Sequence, residues 1–153
     1  MDNLFASTNL LAYLRKEWVG ATGTTRSNSG ICEKFVKLKE KERKKDSIPW
    51  GTIFQEATPD EDIMQTAWKD QAMVLMLSTV YTNNNQTIER NRRRPKATST
   101  SAKTSRQPFG DCSRKMLAIP VIVDDYNHYM GAVDIADQLQ TSNKGLRRIR
   151  CSG

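Results

Sequence analysis

A mixed α/β fold is predicted by three patterns in the sequence. Apolar residues recur at helical spacing in 8–18 and again in 126–139. Residues 34–45 form a charged segment with a few apolar members, which also favours a helix. Residues 48–81 instead contain three short runs typical of strands, separated by acidic and turn-forming residues. A fold that packs helices against a sheet accounts for all three patterns.

The chain opens with the end of a predicted strand, at residues 1–5, and continues into a predicted helix. Ser7 or Thr8 is suited to cap that helix, which we expect to continue to about Trp18. Its apolar residues lie three or four positions apart, so we expect them to share one face and to pack in the core. These residues are Leu10, Leu11, Leu14 and Trp18.

A strand, a turn and a second helix are predicted next. Residues 20–26 are rich in threonine, which favours a strand, and 27–30 have the composition of a turn. Arg26, at the end of this strand, either contacts a DNA phosphate or lies in water, and the sequence leaves both alternatives open. Residues 34–45 then predict a helix whose charged side faces solvent.

The strand-rich segment is predicted to be a β-meander. Its three strands are residues 50–55, 63–69 and 72–81, with a tight hairpin turn at 68–71. Residues 73–77 are continuously apolar and predict a short strand in the core. We expect this segment to support the fold without carrying a catalytic residue of its own.

Residues 83–106 have few apolar members and are strongly basic, with Glu89 as their one acid. Serine and threonine fill the gaps and Pro95 disfavours a helix, so we predict a flexible linker or a long loop. Such a segment is suited to contact DNA phosphates without sequence preference, or to act as a nuclear localisation signal. The residues that we assign to DNA binding here are Arg90, Arg92, Arg93, Arg94 and Lys96.

The end of the chain is predicted to contain an extended segment followed by a helix. Residues 116–123 are apolar and extended, and Asp124 with Asp125 favours a helix N-terminus after them. The helix, from Tyr126 to Leu139, carries polar residues on one face at steps of three and four. They are Asn127, Gly131, Asp134 and Gln138, with Asp137 one turn after Asp134. Two carboxylates one turn apart repel each other until a divalent metal, an arginine or solvent neutralises them.

Composition narrows the functional classes. The formal net charge is +7 at pH 7, which favours partners with phosphate backbones. The three cysteines are widely spaced and His128 is the only histidine, so we expect reduced thiols and no zinc site. No apolar run approaches the roughly 20 residues needed to span a bilayer. We expect neither a membrane partner nor a small-molecule substrate.

Three stretches, in this order, resemble motifs of the piggyBac family of DDE transposases. The first is Met1-Asp2-Asn3-Leu4-Phe5-Ala6-Ser7, and the second is Gly20-Ala21-Thr22-Gly23-Thr24-Thr25-Arg26. The third is Tyr126-Asn127-His128-Tyr129-Met130-Gly131-Ala132-Val133-Asp134-Ile135-Ala136-Asp137-Gln138, with Ala132 where the family usually has a second glycine. Trp68, Asp70 and the Leu77-Ser78-Thr79 strand resemble a β-rich insertion found between the family's second and third catalytic aspartates.

The resemblance implies an RNase H-like fold that gathers acidic residues around two divalent metal ions for phosphodiester chemistry on DNA. By motif, Asp2 matches the second catalytic aspartate and Asp134 the third, while Asp137 matches the additional acidic residue one turn later. Asp2 and Asp134 are therefore the expected ligands of Mg²⁺ or Mn²⁺ in the complete family site, since such ions prefer carboxylate oxygens. We do not expect this chain to bind the ions tightly. DNA is then the expected partner and the nucleus the expected location.

No residue of this chain matches the family's first catalytic aspartate, which lies well before the first motif. We therefore expect a partial RNase H-like fold with a β-rich insertion, incomplete at both ends and inactive in transposition alone. Four segments are expected: a partial catalytic domain at 1–47, the β-rich insertion at 48–82, a flexible basic linker at 83–115, and the third-aspartate helix with a basic tail at 116–153.

Two other hypotheses fit the sequence. In one, the chain is a non-catalytic remnant whose basic surface binds DNA or pairs with a full-length transposase. In the other, it is the product of a decayed element with no selected role. Salt-dependent DNA binding without metal-dependent cleavage favours the first, and an unfolded purified chain favours the second.

Overall fold

The computed structural model of the chain describes residues 1–44, 48–60, 62–81, 86–97, 105–131 and 139. The helices within these residues are α1 (Thr8–Lys16), α2 (Glu33–Lys44) and α3 (Val121–Tyr129). The strands of the first sheet are β1 (Thr22–Thr24), β2 (Ile53–Ala57), β3 (Met64–Lys69) and β4 (Met73–Ser78). Two further strands, β5 (Thr87–Arg93) and β6 (Arg114–Pro120), pair with each other, and a 3-10 turn lies at Gln107–Phe109.

The first sheet has the strand order β1-β4-β3-β2, and each of its pairs is antiparallel. β2, β3 and β4 follow one another along the chain and form the predicted β-meander. The hairpin between β3 and β4 closes where Lys69 pairs with Met73, close to the predicted turn. β1 joins the other side of β4, with Thr22 opposite Ser78. Residues far apart in the sequence therefore meet at the β1 edge.

β4 is a central strand whose alternate residues face two different cores. Leu75 points towards the helices, where it is buried with Leu11 of α1 and Phe35 of α2. Met76 points the other way and is buried with Ile122 of α3. Because successive residues of a strand face opposite sides of a sheet, the four-stranded sheet is the middle layer of three. Helices α1 and α2 cover one face, and β6 with α3 covers the other.

A buried ion pair connects α2 to the sheet. Lys69 Nζ, at the end of β3, lies 3.1 Å from Glu42 Oε1, and both side chains are almost wholly buried. The Glu42 carboxylate also accepts the backbone N–H of Ile48, at 3.2 Å for Oε1 and 3.1 Å for Oε2. Removing two charges from water is costly, and their attraction together with these hydrogen bonds offsets that cost. Glu42 is thus the exception to the solvated charged face predicted for α2.

α1 has well-formed caps at both ends. Ser7 is the N-cap, as predicted, since its Oγ accepts the N–H of Leu10 at 3.2 Å. At the other end, the N–H of Val19 donates to the carbonyl of Leu14 at 2.8 Å. The N–H of Trp18 donates to the carbonyl of Arg15 at 3.0 Å. These two bonds form a Schellman motif in which Trp18 has the left-handed φ of 60° that glycine usually supplies.

The prediction that Trp18 packs in the core is wrong, because its side chain is 95% exposed. Helical spacing puts Trp18 on the same stripe as Leu11 and Leu14. However, α1 ends at Lys16, and the chain reverses direction immediately afterwards. A residue beyond the end of a helix no longer follows the helical period, so its side chain is not carried to the buried face.

Residues 1–5 include a turn, where the end of a strand was predicted. The Asp2 carboxylate accepts the N–H of Leu4 at its Oδ1, at 2.9 Å. The backbone carbonyl of Asp2 accepts the N–H groups of Phe5 and Ala6, each at 3.1 Å. An aspartate whose side chain bonds the backbone two residues later stabilises a turn in place of extended chain.

The prediction of a flexible linker at 83–115 is wrong for residues 87–93, which form β5. This strand pairs with β6 in an antiparallel ladder that places Thr87 opposite Pro120 and Arg93 opposite Arg114. Ile88 packs against the core cluster of α3, and the other inward side chains of β5 are ion-paired arginines. Residues 83–85 and 98–104, also part of the predicted linker, lie outside the described residues.

α3 begins at Val121, directly after Pro120 and before the predicted start at Tyr126. The predicted extended segment 116–123 is therefore a strand only as far as Pro120. The mixed α/β class is confirmed, with two antiparallel sheets and their helices. The RNase H-like arrangement stays a prediction. None of the helices in the described part of the chain is long and apolar enough to cross a membrane.

Candidate active-site cleft

A cleft of about 420 Å³ opens at the β1 edge of the four-stranded sheet. Its walls come from the start of the chain, from β1 and the residues before it, from the segment after β4 and from α3. Two carboxylates, Asp2 and Asp125, line this cleft together with several tyrosines. Its lining includes Met1, Asp2, Tyr81, Asp125, Tyr126, Tyr129 and Met130.

Asp2 is held at the cleft by the packing of Met1 against β1. The terminal amine of Met1 donates to the carbonyl of Thr22 at 2.9 Å. A Cβ atom at Gly23 would lie only 2.6 Å from the Met1 carbonyl oxygen, so the close approach of the two backbones requires glycine at this position. Asp2 Oδ1 is used by the turn, and Oδ2 forms no hydrogen bond with any described residue. That oxygen is available to a ligand.

Tyr81 and Asp125 form a hydrogen-bonded pair on the opposite wall. The Tyr81 hydroxyl donates to Asp125 Oδ2. Partial burial and the bond to the Asp125 carboxylate raise the pKa of Tyr81 to about 12. Tyr81 is therefore a neutral hydrogen-bond donor at physiological pH, and it fixes the position of Asp125.

Contacts from both sheets position α3 beside the cleft. The Tyr126 hydroxyl lies 3.3 Å from Thr24 Oγ1 of β1. In the first turn of α3, Asp124 accepts two hydrogen bonds from Arg90 of β5, at 2.8 and 2.6 Å. These bonds lower the pKa of Asp124 and raise the pKa of Arg90. The C-terminal end of α3 thereby reaches the cleft, where Met130 forms part of the lining.

The first and third sequence motifs meet at this cleft, because Asp2 and Met130 line the same cavity. Asp134 follows Met130 by four positions, but Asp134 and Asp137 lie outside the described residues, and their roles stay predictions. Among the residues that are described, no group of three or more His, Cys, Asp or Glu is placed to hold a metal ion. The carboxylate oxygens of Asp2 have the donor chemistry that Mg²⁺ and Mn²⁺ prefer.

Arg90 and Arg92, both assigned to DNA binding from the sequence, form ion pairs with aspartates of the same chain. Arg90 is bonded to Asp124, as described above. Arg92 donates from Nη1 and Nη2 to the two oxygens of Asp70, each at 3.2 Å, and its guanidinium lies 5.8 Å from the centre of the Trp68 ring. Being two residues apart, Arg90 and Arg92 leave β5 on the same side. Each therefore has a structural role, and contact with DNA stays a prediction.

The other basic residues of the predicted DNA-binding set have different surroundings. Arg26, just after β1, is exposed, as are Arg93 and Lys96. Arg94 is half-buried, and its Nε atom is buried without a hydrogen-bond partner in the described part of the chain. Arg93 is the last residue of β5 and Lys96 follows it shortly, whereas Arg26 follows β1 of the four-stranded sheet. The basic residues assigned to DNA binding therefore follow strands of two different sheets.

Nearly the whole chain matches one protein family. A family model described as Transposase IS4 matches residues 1–150. The chain belongs to this family of DDE transposases. Membership implies that DNA is the partner and that divalent metal ions are used. No curated protein and no solved structure matches the chain significantly.

In this chain of the transposase family, no sequence pattern identifies the Tyr81–Asp125 pair. The sequence marks Asp125 as a residue that favours a helix N-terminus, and Tyr81 as the end of a strand. The two lie 44 positions apart in the sequence. Only the packing of α3 against the end of β4 brings them together, and no local spacing signals that contact.

Proposed function

We propose that residues 1–153 form part of the catalytic core of a piggyBac-type transposase that acts on DNA phosphodiesters. The observation that carries this proposal is the shared cleft, which Asp2 and the end of α3 line together. In this proposal Asp2 and Asp134 are the ligands of Mg²⁺ or Mn²⁺, and Asp137 assists them. When bound, these ions stabilise the negative charge that develops on the attacking and leaving oxygens of a phosphodiester.

The described residues prepare the cleft for a cation and for DNA. Asp2 presents a carboxylate oxygen that no described residue occupies, and Tyr81 holds the Asp125 carboxylate nearby. Two carboxylates at one cleft repel a phosphate group until a cation neutralises them. DNA is therefore expected to enter the cleft together with a divalent ion. Since DNA is the proposed substrate, the nucleus is the proposed location of the protein.

The resemblance provides no counterpart, within residues 1–153, to the first catalytic aspartate. A polypeptide consisting of these residues alone is therefore expected to bind divalent cations and DNA without cutting the DNA. Supercoiled plasmid incubated with the polypeptide and Mg²⁺ is expected to remain supercoiled. Nicking that Asp134→Ala abolishes would show that the residues are catalytic without a further aspartate.

Terbium luminescence tests the proposed metal site directly. Tb³⁺ binds hard oxygen ligands and emits when a nearby aromatic ring is excited, and Tyr126 and Tyr129 line the cleft. We expect Tb³⁺ to bind with sensitised emission that Mg²⁺ displaces. Asp2→Asn and Asp134→Asn are each expected to weaken binding by roughly tenfold or more, because loss of a supporting hydrogen bond alone costs about that much at a metal site.

Asp111→Asn is the matched control for this measurement. Asp111 is an exposed carboxylate in the turn before β6 and takes no part in the cleft. Its substitution removes the same charge and should leave Tb³⁺ affinity unchanged. Equal affinity in the wild type and in Asp2→Asn would contradict the proposed metal site.

A second candidate function is DNA binding without catalysis, alone or together with a full-length transposase. The observation that favours it is the exposed basic end of the β5–β6 ribbon, with Arg93 and Lys96. A chain that binds DNA in a salt-dependent manner but shows no Tb³⁺ site would support this candidate over the first.

A further inference from the structure

The β5–β6 ribbon brings two arginines face to face on its exposed side. Arg93 lies directly opposite Arg114 in the antiparallel register, and both residues are exposed. The N–H of Arg94 donates to the carbonyl of Ser113 at 2.9 Å, so that neighbouring pair is a hydrogen-bonded one. The two kinds of pair alternate along an antiparallel ladder, which makes Arg93–Arg114 a non-hydrogen-bonded pair. In such pairs the Cα atoms are about 4.5 Å apart and the side chains are closest.

Like charges directly opposite each other destabilise a β-ladder, and no acid in the described part of the chain pairs with either arginine. Among the described residues, neither Arg93 nor Arg114 forms an ion pair. In contrast, Arg90 and Arg92, on the inner side of β5, are each bonded to an aspartate. The segment between the two strands adds further positive charge. Its charged residues are Arg94, Lys96, Lys103, Arg106 and Asp111.

Arg94 does not take part in this pair. Successive residues of a strand face opposite sides, so its half-buried side chain leaves the ribbon on the side away from Arg93. An anion bound on the exposed side would reduce the repulsion between Arg93 and Arg114.

We propose that Arg93 and Arg114 clamp one phosphodiester group of DNA between them. The clamp rests on the proposed function, in which DNA is the substrate. The oxygens of one phosphate accept hydrogen bonds from two guanidinium groups at once, and its charge compensates their repulsion. Asn91 and Met116, the next pair on the same face, continue the exposed surface, with Met116 52% exposed. A two-stranded ribbon fits the major groove of DNA, so the clamp anchors the ribbon on the backbone beside that groove.

DNA affinity measured over a series of salt concentrations tests the clamp. The proteins are the wild type, Arg93→Ala, Arg114→Ala and the double variant, and the probe is a fluorescein-labelled duplex read by anisotropy. Each single variant is expected to lose roughly tenfold in affinity, and the slope of log affinity against log salt to fall by about one. The double variant should lose little more, because both residues hold the same phosphate. Additive losses would indicate two separate phosphates and overturn the shared clamp.

The Lys37→Ala/Lys41→Ala variant is the matched control. It also removes two positive charges, but from exposed positions on α2, which lies across the four-stranded sheet from the ribbon. Its affinity is expected to stay within about twofold of the wild type, since it lacks a direct phosphate contact. A loss equal to that of the arginine variants would assign the effect to net charge and overturn the clamp. Wild-type affinity in the arginine double variant would overturn the clamp alone, whereas no binding by the wild type would overturn the proposed function itself.

Thermal unfolding without DNA distinguishes the clamp from simple damage to the ribbon. Arg93→Ala is expected to melt at a higher temperature than the wild type at low salt, because it removes the repulsion, and the difference should shrink at high salt. A lower melting temperature at low salt would overturn the repulsion on which the clamp depends. Inorganic phosphate, at matched ionic strength, tests the other source of the anion. If phosphate stabilised the wild type alone while the double variant kept full DNA affinity, the site would bind free phosphate and not DNA.

Discussion

At the scale of single residues, the hydroxyl group of Tyr81 fixes the position of one carboxylate of the cleft. Tyr81 donates to Asp125, and partial burial together with that bond raises the pKa of Tyr81 to about 12 from 10.0. The neutral phenol is therefore favoured by the folded state. Its contribution to stability is fully present below about pH 10, and it is lost as the pH rises towards about 12.

Tyr81→Phe tests this bond because it removes the hydroxyl and keeps the ring. We expect the variant to be less stable than the wild type at pH 8, and the difference to shrink between about pH 10 and pH 12. Urea unfolding at several pH values measures the first effect, and the difference in absorbance titration between the two proteins gives the ionisation of Tyr81. Ionisation of Tyr81 near pH 10 would show that the bond to Asp125 does not form in solution.

At the scale of secondary-structure elements, the end of α1 contains an unfavourable residue. Trp18 occupies the left-handed position of a Schellman motif and exposes 95% of its side chain. A residue with a Cβ in this conformation costs about 1 kcal/mol relative to glycine, and the exposed indole gains little from packing. The helix is therefore terminated at the expense of local strain.

Trp18→Gly is expected to stabilise the protein by about 1 kcal/mol, since glycine adopts the left-handed conformation without a steric penalty. The midpoint of urea unfolding measures the change. Trp18→Ala serves as the control, because it removes the indole but keeps the Cβ, and it should not give the same gain. Equal gains in both variants would attribute the effect to loss of the exposed indole instead of to backbone strain.

The sequence predicts the elements that are stabilised by apolar burial and misses the strand that is stabilised by ion pairs. α1, α2 and the β2–β3–β4 meander bury regularly spaced apolar residues, so their periodicity predicts them. β5 carries mainly arginines on its inner face, and this composition is typical of a loop. The strand is stabilised by the ion pairs of these arginines with Asp70 and Asp124, which are distant in the sequence. In the candidate site, Asp2 is identified by motif resemblance, whereas the Tyr81–Asp125 pair depends on tertiary packing that local patterns do not encode.

At the scale of the whole molecule, the sheet has to be held to a helical layer on one side and to the β5–β6 ribbon and α3 on the other. Apolar contacts on both faces of β4 hold these layers together. The buried Glu42–Lys69 pair adds a specific connection between α2 and β3. Such a pair fixes the position of a helix, although its net contribution to stability is small compared with the cost of breaking it.

Glu42→Gln removes the negative charge that lies 3.1 Å from the buried Lys69 ammonium and is expected to destabilise the protein by about 3 kcal/mol or more. The free energy of unfolding in urea measures the loss. The double variant Glu42→Leu/Lys69→Met removes both charges and is expected to be close to the wild type in stability, or above it. If the double variant were as unstable as Glu42→Gln, shape and not charge would be the reason that these two residues occur here.

The contact between Met1 and β1 has a consequence for inheritance. The Met1 carbonyl oxygen lies only 2.6 Å from the position that any Cβ at residue 23 would take. Every amino acid except glycine carries that atom, so each missense change in the codon for Gly23 pushes the chain segment that bears Asp2 away from the sheet. Related chains that still hold Asp2 at the cleft are expected to have glycine at the position of Gly23, however much the rest of their sequences differ.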